Sequence, residues 1–150
     1  MTAYPTLTVL AASALALTLL AAPTAAQVVK GGTTGTAQGT DVSATTCGNG
    51  TTTPNSITVS GCADANATNG TTSTTNRARV NERVGMQRST AVARDEDERA
   101  RSMTHTRVRQ GEVVSSRTMS IYKERGERPV REVISVKATP QGTTTKKKPN

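Results

Sequence analysis

Residues 102–138 read SMTHTRVRQGEVVSSRTMSIYKERGERPVREVISVKA, and alternation within this stretch sets the expectation for the fold. Val130, Ile134, Val136 and Ala138 share one parity against Arg131, Ser135 and Lys137, with Glu132 and Val133 out of phase. Val113, Met119 and Ile121 share parity against Glu112, Ser116, Thr118 and Ser120, with Val114 and Arg117 as exceptions. Between Ser102 and Arg109, Thr104, Thr106 and Val108 alternate with Met103, His105, Arg107 and Arg109. A period of two marks strands with one covered face. Gln110-Gly111 and the segment from Glu124 to Pro129 supply turn residues. The three runs therefore predict an antiparallel meander with one weakly apolar face.

Upstream, residues 91–101 read AVARDEDERAR and favour a short helix. Asp95 with Arg99, and Asp97 with Arg101, form i,i+4 pairs with the acid first, each contributing about 0.2–0.5 kcal/mol. Downstream, Gln141 to Asn150, QGTTTKKKPN, reads as a disordered basic tail. The segment 77–140 is thus a basic, weakly β-forming module, and 141–150 its tail.

Residues 27–76 differ in chemistry. They hold 15 Thr, 4 Ser and 5 Asn but one Lys and two Asp, whereas residues 77–150 carry 13 Arg and 5 Lys against nine acids. All of the positive balance lies in the second half. Gly31-Gly32, Asn49-Gly50, Asn69-Gly70 and Pro54-Asn55 are turn formers, and the first half reads as a linker-like loop. Only Ser56-Ile57-Thr58-Val59-Ser60 alternates as a strand, with Thr51 to Thr53 as its partner across a small hairpin. Asn49-Gly50-Thr51-Thr52 recurs as Asn69-Gly70-Thr71-Thr72, but two copies fall short of a solenoid.

At the start, Leu7 to Ala22 is an apolar run, LTVLAASALALTLLAA. Its length as a helix is roughly 24 Å, short of the ~30 Å hydrocarbon core. Pro23 and the small residues Ala25-Ala26 follow, so residues 1–26 read as a signal-peptide helix cleaved after Ala26. The first six residues, MTAYPT, carry no Lys or Arg, a departure from the usual pattern. The expected location is secreted, periplasmic or cell-envelope, with no stable membrane span after cleavage.

The chain has 150 residues, a formal net charge of +8, no Trp, no Phe and two Tyr. Beyond position 26 it holds 13 Val, 3 Ile and no Leu, below the ~20% of large aliphatic and Phe residues usual in globular domains. A sizeable core, a pore, a haem pocket and a multi-span membrane fold are not expected on that ground. The expected fold class is a mostly disordered, low-complexity chain with a small, marginal antiparallel β-rich module in its C-terminal half.

Cys47 and Cys62 are the only cysteines, and in an exported chain they pair as one disulfide. Three Asn-x-Thr sequons begin at Asn49, Asn66 and Asn69, about the number that composition alone produces. His105 is the sole histidine and reads as a surface residue, with no metal or cofactor implied. Asp95-Glu96-Asp97-Glu98 lacks the spaced ligands of a calcium loop. No nucleophile elbow, phosphate-binding loop or zinc-protease motif occurs. These features point to a non-enzymatic structural or interaction protein. The sharper alternative is a polyanion-binding module whose contacts are Arg101, Arg107, Arg109, Arg117, Arg125, Arg128, Arg131, Lys146, Lys147 and Lys148, taking an anionic glycan, lipid headgroups or nucleic acid. Specific nucleic-acid binding is not indicated, because stacking platforms need aromatics. Set against the polyanion reading, nine interleaved acids would leave an ordinary mixed-charge surface. An ordered Thr array at Thr33, Thr34, Thr36 and Thr51 to Thr53, of the kind that binds ice, is a more remote option, since the Thr spacing is irregular.

Overall fold

The computed structural model describes residues 27–149. The signal-peptide reading of residues 1–26 lies outside these residues. Nine antiparallel strands follow in order: β1 (Val29–Gln38), β2 (Val42–Thr53), β3 (Ser56–Ala67), β4 (Thr71–Val80), β5 (Val84–Arg94), β6 (Glu98–Arg109), β7 (Val113–Glu124), β8 (Val130–Thr139) and β9 (Gly142–Pro149). They form a three-stranded sheet, β1-β2-β3, and a six-stranded sheet, β4 through β9, each paired in sequence order. The two sheets face each other. Strand β2 lies over β5, β6 and β7, β1 over β6, β7 and β8, and β3 over β4 and β5.

This corrects the expectation of a mostly disordered chain with a small C-terminal module. The Thr/Gly/Asn-rich first half is a complete sheet, and the tail expected to be disordered is β9. The physical reason lies in what fills the interior. Large aliphatic side chains are replaced by small residues at matched positions. One end of the interior is an alanine cluster, Ala37, Val42, Ala44, Ala91, Ala93 and Ala100, against which Tyr122 packs. The other end holds Val29, Val108, Val114 and Ala138, with Ile57 and Val59 against them. Between these clusters the core is polar: Thr33, Thr46, Ser89, Ser102, Thr104, Thr106, Ser116 and Thr118 are all buried.

Apart from Ser89, which donates to the Cys47 carbonyl at 3.2 Å, those hydroxyls satisfy one another within and across the two sheets. Thr46 Oγ1 bonds Ser102 Oγ at 2.7 Å and Thr104 Oγ1 at 2.8 Å. Thr104 continues to Thr118 at 2.6 Å, and Thr118 donates to Thr33 at 2.7 Å. Thr33 reaches Ser116 at 2.7 Å, and Ser116 reaches Thr106 at 2.8 Å. Each buried hydroxyl thus escapes the cost of an unmade hydrogen bond, while its methyl or methylene is removed from water. Glycines set how closely the sheets approach. Gly48 and Gly61 face each other on β2 and β3, and the space they leave is filled by Gln87 of β5, which is 1% exposed.

The expected helix at 91–101 is instead the end of β5, a turn and the start of β6. Asp95 Oδ1 accepts the backbone N–H of Asp97 at 2.9 Å and of Glu98 at 2.6 Å, a local turn bond of the kind that competes with helix. Asn81 does the same for Arg83 and Val84 between β4 and β5. The runs at 102–109, 113–121 and 130–138 lie within β6, β7 and β8. The facing of β7 differs from expectation. Val114, Ser116, Thr118 and Ser120 are buried, so Val113, Met119 and Ile121 stand on the outer side. Hydroxyls opposite Gly35 and Thr33 fit the narrow interior, where Met119 would not.

The compositional boundary at Asn76 falls inside β4, whereas the chain passes between sheets at residues 68–70. The two Asn-Gly-Thr-Thr copies are not equivalent: one lies within β2, the other spans the β3–β4 link.

Candidate functional site

Strand alternation and register assign every outer position of the six-stranded sheet to a row running across the strands. The central row holds Arg77, Arg88, His105, Arg117, Ser135 and Lys146, from β4 to β9. The next row holds Arg79, Met86, Arg107, Ser115, Lys137 and Thr144. On the other side run Thr75, Thr90, Met103, Met119, Val133 and Lys148, then Ser73, Val92, Arg101, Ile121 and Arg131. Arg94, Arg99 and Lys123 lie opposite one another near the end of the sheet, and Arg109 lies near the opposite end. Fourteen of the chain's 19 Lys and Arg stand on this one face.

No acid shares it. Glu82, Asp95, Glu96, Asp97, Glu112 and Glu127 lie in the turns between strands. Glu98, Glu124 and Glu132 have the inward parity of Ser102, Tyr122 and Ser120. Glu132 pairs with Lys147 at 2.8 Å. Asp97 pairs with Arg125 in the turns at 3.5 Å. Asp41, Asp95 to Glu98 and Glu124 line an open recess at one end of the sandwich. Acids and bases mixed in sequence are therefore separated in space. Alternation directs the bases outward, and the turns collect the acids.

The electrostatics follow from this crowding. Partial burial, then the charges of Arg94 and Arg101, pull the Arg99 pKa below the ordinary guanidinium value, though an arginine remains protonated at neutral pH. Arg88 lies along the face, donating Nη2–H to Met103 Sδ at 3.5 Å. At the recess, Tyr122 donates its hydroxyl to Glu98 Oε1 at 2.7 Å. The other carboxylate oxygen, Oε2, accepts the Asp41 N–H at 3.0 Å. Burial, then that hydrogen bond and the Glu98 charge, push the Tyr122 pKa up.

Of the ten contacts expected from sequence, Arg101, Arg107, Arg109, Arg117, Arg131, Lys146 and Lys148 lie on the face. The other three do not: Lys147 points inward to Glu132, and Arg125 and Arg128 sit in the β7–β8 turn. Sequence reasoning missed Arg77, Arg79, Arg88, Arg94, Arg99, Lys123 and Lys137. A signal was present in the Arg-x-Arg spacing at 77/79, 99/101 and 107/109, which puts both members on one side of a strand.

His105 is exposed between Arg88 and Arg117, and no group of three or more potential metal ligands occurs among the described residues. Cys47 and Cys62 are bonded and directly opposed on β2 and β3, with a Cα–Cα distance of 4.9 Å. They lie on the outer side of the three-stranded sheet, among Thr34, Thr36, Thr45, Thr51, Thr58 and Ser60. That face is hydroxyl-rich, but Lys30, Gln38, Asn49 and Asp64 break any regular Thr lattice. No family model, curated protein or solved structure matches this chain.

Proposed function

We propose that this is an exported, non-enzymatic interaction protein that binds polyanions through the outer face of its six-stranded sheet. The observation carrying this reading is the segregation of fourteen cations onto one face with no acid among them. Such a surface concentrates anionic partners and steers their approach, with affinity that falls as salt displaces them. The objection that interleaved acids neutralise the basic half loses its force, because those acids lie in turns or face inward. Export is supported by the apolar run from Leu7 to Ala22 and the small residues that follow it up to Ala26, and is compatible with the Cys47–Cys62 disulfide.

The test is elution from a heparin column in a salt gradient. Arg88→Gln/Arg107→Gln/Arg117→Gln should elute at clearly lower salt than the parent, while Arg125→Gln/Arg128→Gln, two charges in a turn, should elute close to it. Equal shifts per charge removed would mean net charge alone governs retention and would overturn the assignment to the face.

A further inference from the structure

The cationic face has a stripe of different chemistry across its middle. Thr90, Met103, Met119 and Val133 lie directly opposite one another on β5, β6, β7 and β8, and each is half-buried. Cations flank the stripe on both sides, Arg88 and Arg117 with His105 between them on one, and Arg101 and Arg131 alternating with Val92 and Ile121 on the other. At ~4.8 Å between strands, the six-strand row spans roughly 24 Å. Its ends fall on the edge strands β4 and β9, where Thr75 and Lys148 are exposed. The stripe is therefore open at both ends, with Met103, Met119 and Val133 as an apolar floor and arginines on both sides.

We infer that its occupant is a linear acidic polysaccharide lying across the strands, sugar rings on the Met103–Met119 floor and carboxylate or sulfate groups on the flanking arginines. This rests on the polyanion reading above and narrows it. A sugar ring presents aliphatic C–H faces and charged or hydroxylated edges, which matches an apolar strip with arginines spaced along both sides. Single-stranded nucleic acid is held largely by stacking on Phe, Tyr or Trp, yet Tyr122, the only one of these among the described residues, packs inward and bonds Glu98. Insertion into a lipid surface uses apolar side chains that reach past the headgroups. Here Met103, Met119 and Val133 are half-buried while Arg88, Arg117 and Arg131 beside them are exposed, and the Arg88 guanidinium reaches the Met103 sulfur.

Calorimetric titration of the oxidised protein at several salt concentrations tests this, using alginate and heparin, an oligothymidylate, and phosphatidylglycerol vesicles. Met103→Thr/Met119→Thr should weaken polysaccharide binding about fivefold to tenfold, from lost apolar contact, with an unchanged salt dependence. Arg88→Gln/Arg117→Gln should weaken all polyanions and reduce the salt slope by about two. Val133→Thr, a single change on the same stripe, repeats the first arm should the double variant lose its native circular dichroism. Polysaccharide affinity unchanged in both stripe variants, or tighter binding per charge to oligothymidylate or vesicles, would overturn the polysaccharide assignment and leave the polyanion reading standing. Absence of binding to all four probes would overturn both.

Discussion

Thr45 and Thr46 are neighbours of identical chemistry, and they have opposite fates. Thr46 is fully buried and bonded to Ser102 and Thr104, while Thr45 stands on the outer side, bonded to Thr36 at 3.0 Å. Thr33/Thr34 and Thr51/Thr52 split the same way. Hydropathy therefore carries no contrast in β1 and β2, and that is why this half reads as linker in sequence. The buried hydroxyl network makes a quantitative expectation. Thr46→Val or Thr104→Val alone leaves partners short of a hydrogen bond and should cost about 1–3 kcal/mol. The double variant should cost less than the sum, measured as a double-mutant cycle by urea denaturation. Strict additivity would mean the two hydroxyls do not act together. Tyr122 gives a second residue-scale expectation. Its raised pKa means the folded state keeps a phenol proton that the unfolded chain releases near pH 10. The stability this contributes is complete below about pH 10 and is lost as pH rises beyond it. Tyr122→Phe should flatten the decline measured between about pH 9.5 and 11.5. A decline as steep as the parent's would place the alkaline loss on other groups.

At the scale of elements, β6, β7 and β8 were legible because residues of one kind recur with period two: Thr104, Thr106 and Val108 against His105, Arg107 and Arg109, Met119 and Ile121 against Thr118 and Ser120, and Val136 and Ala138 against Ser135 and Lys137. Which face turned inward was not legible for β7, since burial there follows size and hydrogen bonding rather than hydropathy. The helix expected at 91–101 failed for a related reason. Acid–arginine pairs four apart suit an exposed helix, but the same Asp95 closes a turn with two backbone bonds, and both flanking strands then pair along their full length. The β2–β3 hairpin was legible in its turn, Pro54-Asn55, and in its cysteines, although the strands extend well past the five residues that alternate. Strand β9 carries Lys146 to Lys148 on a sheet edge, where charge discourages pairing with other chains. The disulfide joins strands already paired over twelve positions. Cys47→Ser/Cys62→Ser should therefore keep the β spectrum by circular dichroism while losing about 2–3 kcal/mol of stability. Collapse of that spectrum would mean the hairpin depends on the covalent link.

For the whole molecule, the cationic face was half legible. The basic half stood out in composition, and seven of the ten expected contacts lie on one surface. The rest was hidden because sequence interleaves Arg with Asp and Glu, and only the turns and the register pull them apart. Arg125 and Lys147 look equivalent to Arg117 and Lys146 in the sequence, yet each faces an acid in the fold. The result is a two-faced sandwich, hydroxyl-rich on the three-stranded side and arginine-rich on the other, built around a core of small side chains. The most direct test of this account is a ¹H–¹⁵N correlation spectrum of residues 27–150, recorded with arginine side-chain signals and titrated with heparin. Dispersed amide peaks are expected, with the Nε–Hε signals of Arg77, Arg88, Arg107 and Arg117 shifting on addition and the amides of β1 to β3 staying in place. Peaks collapsed into the narrow range of an unfolded chain would contradict the fold, and shifts centred on Arg125, Arg128 or the three-stranded sheet would contradict the face.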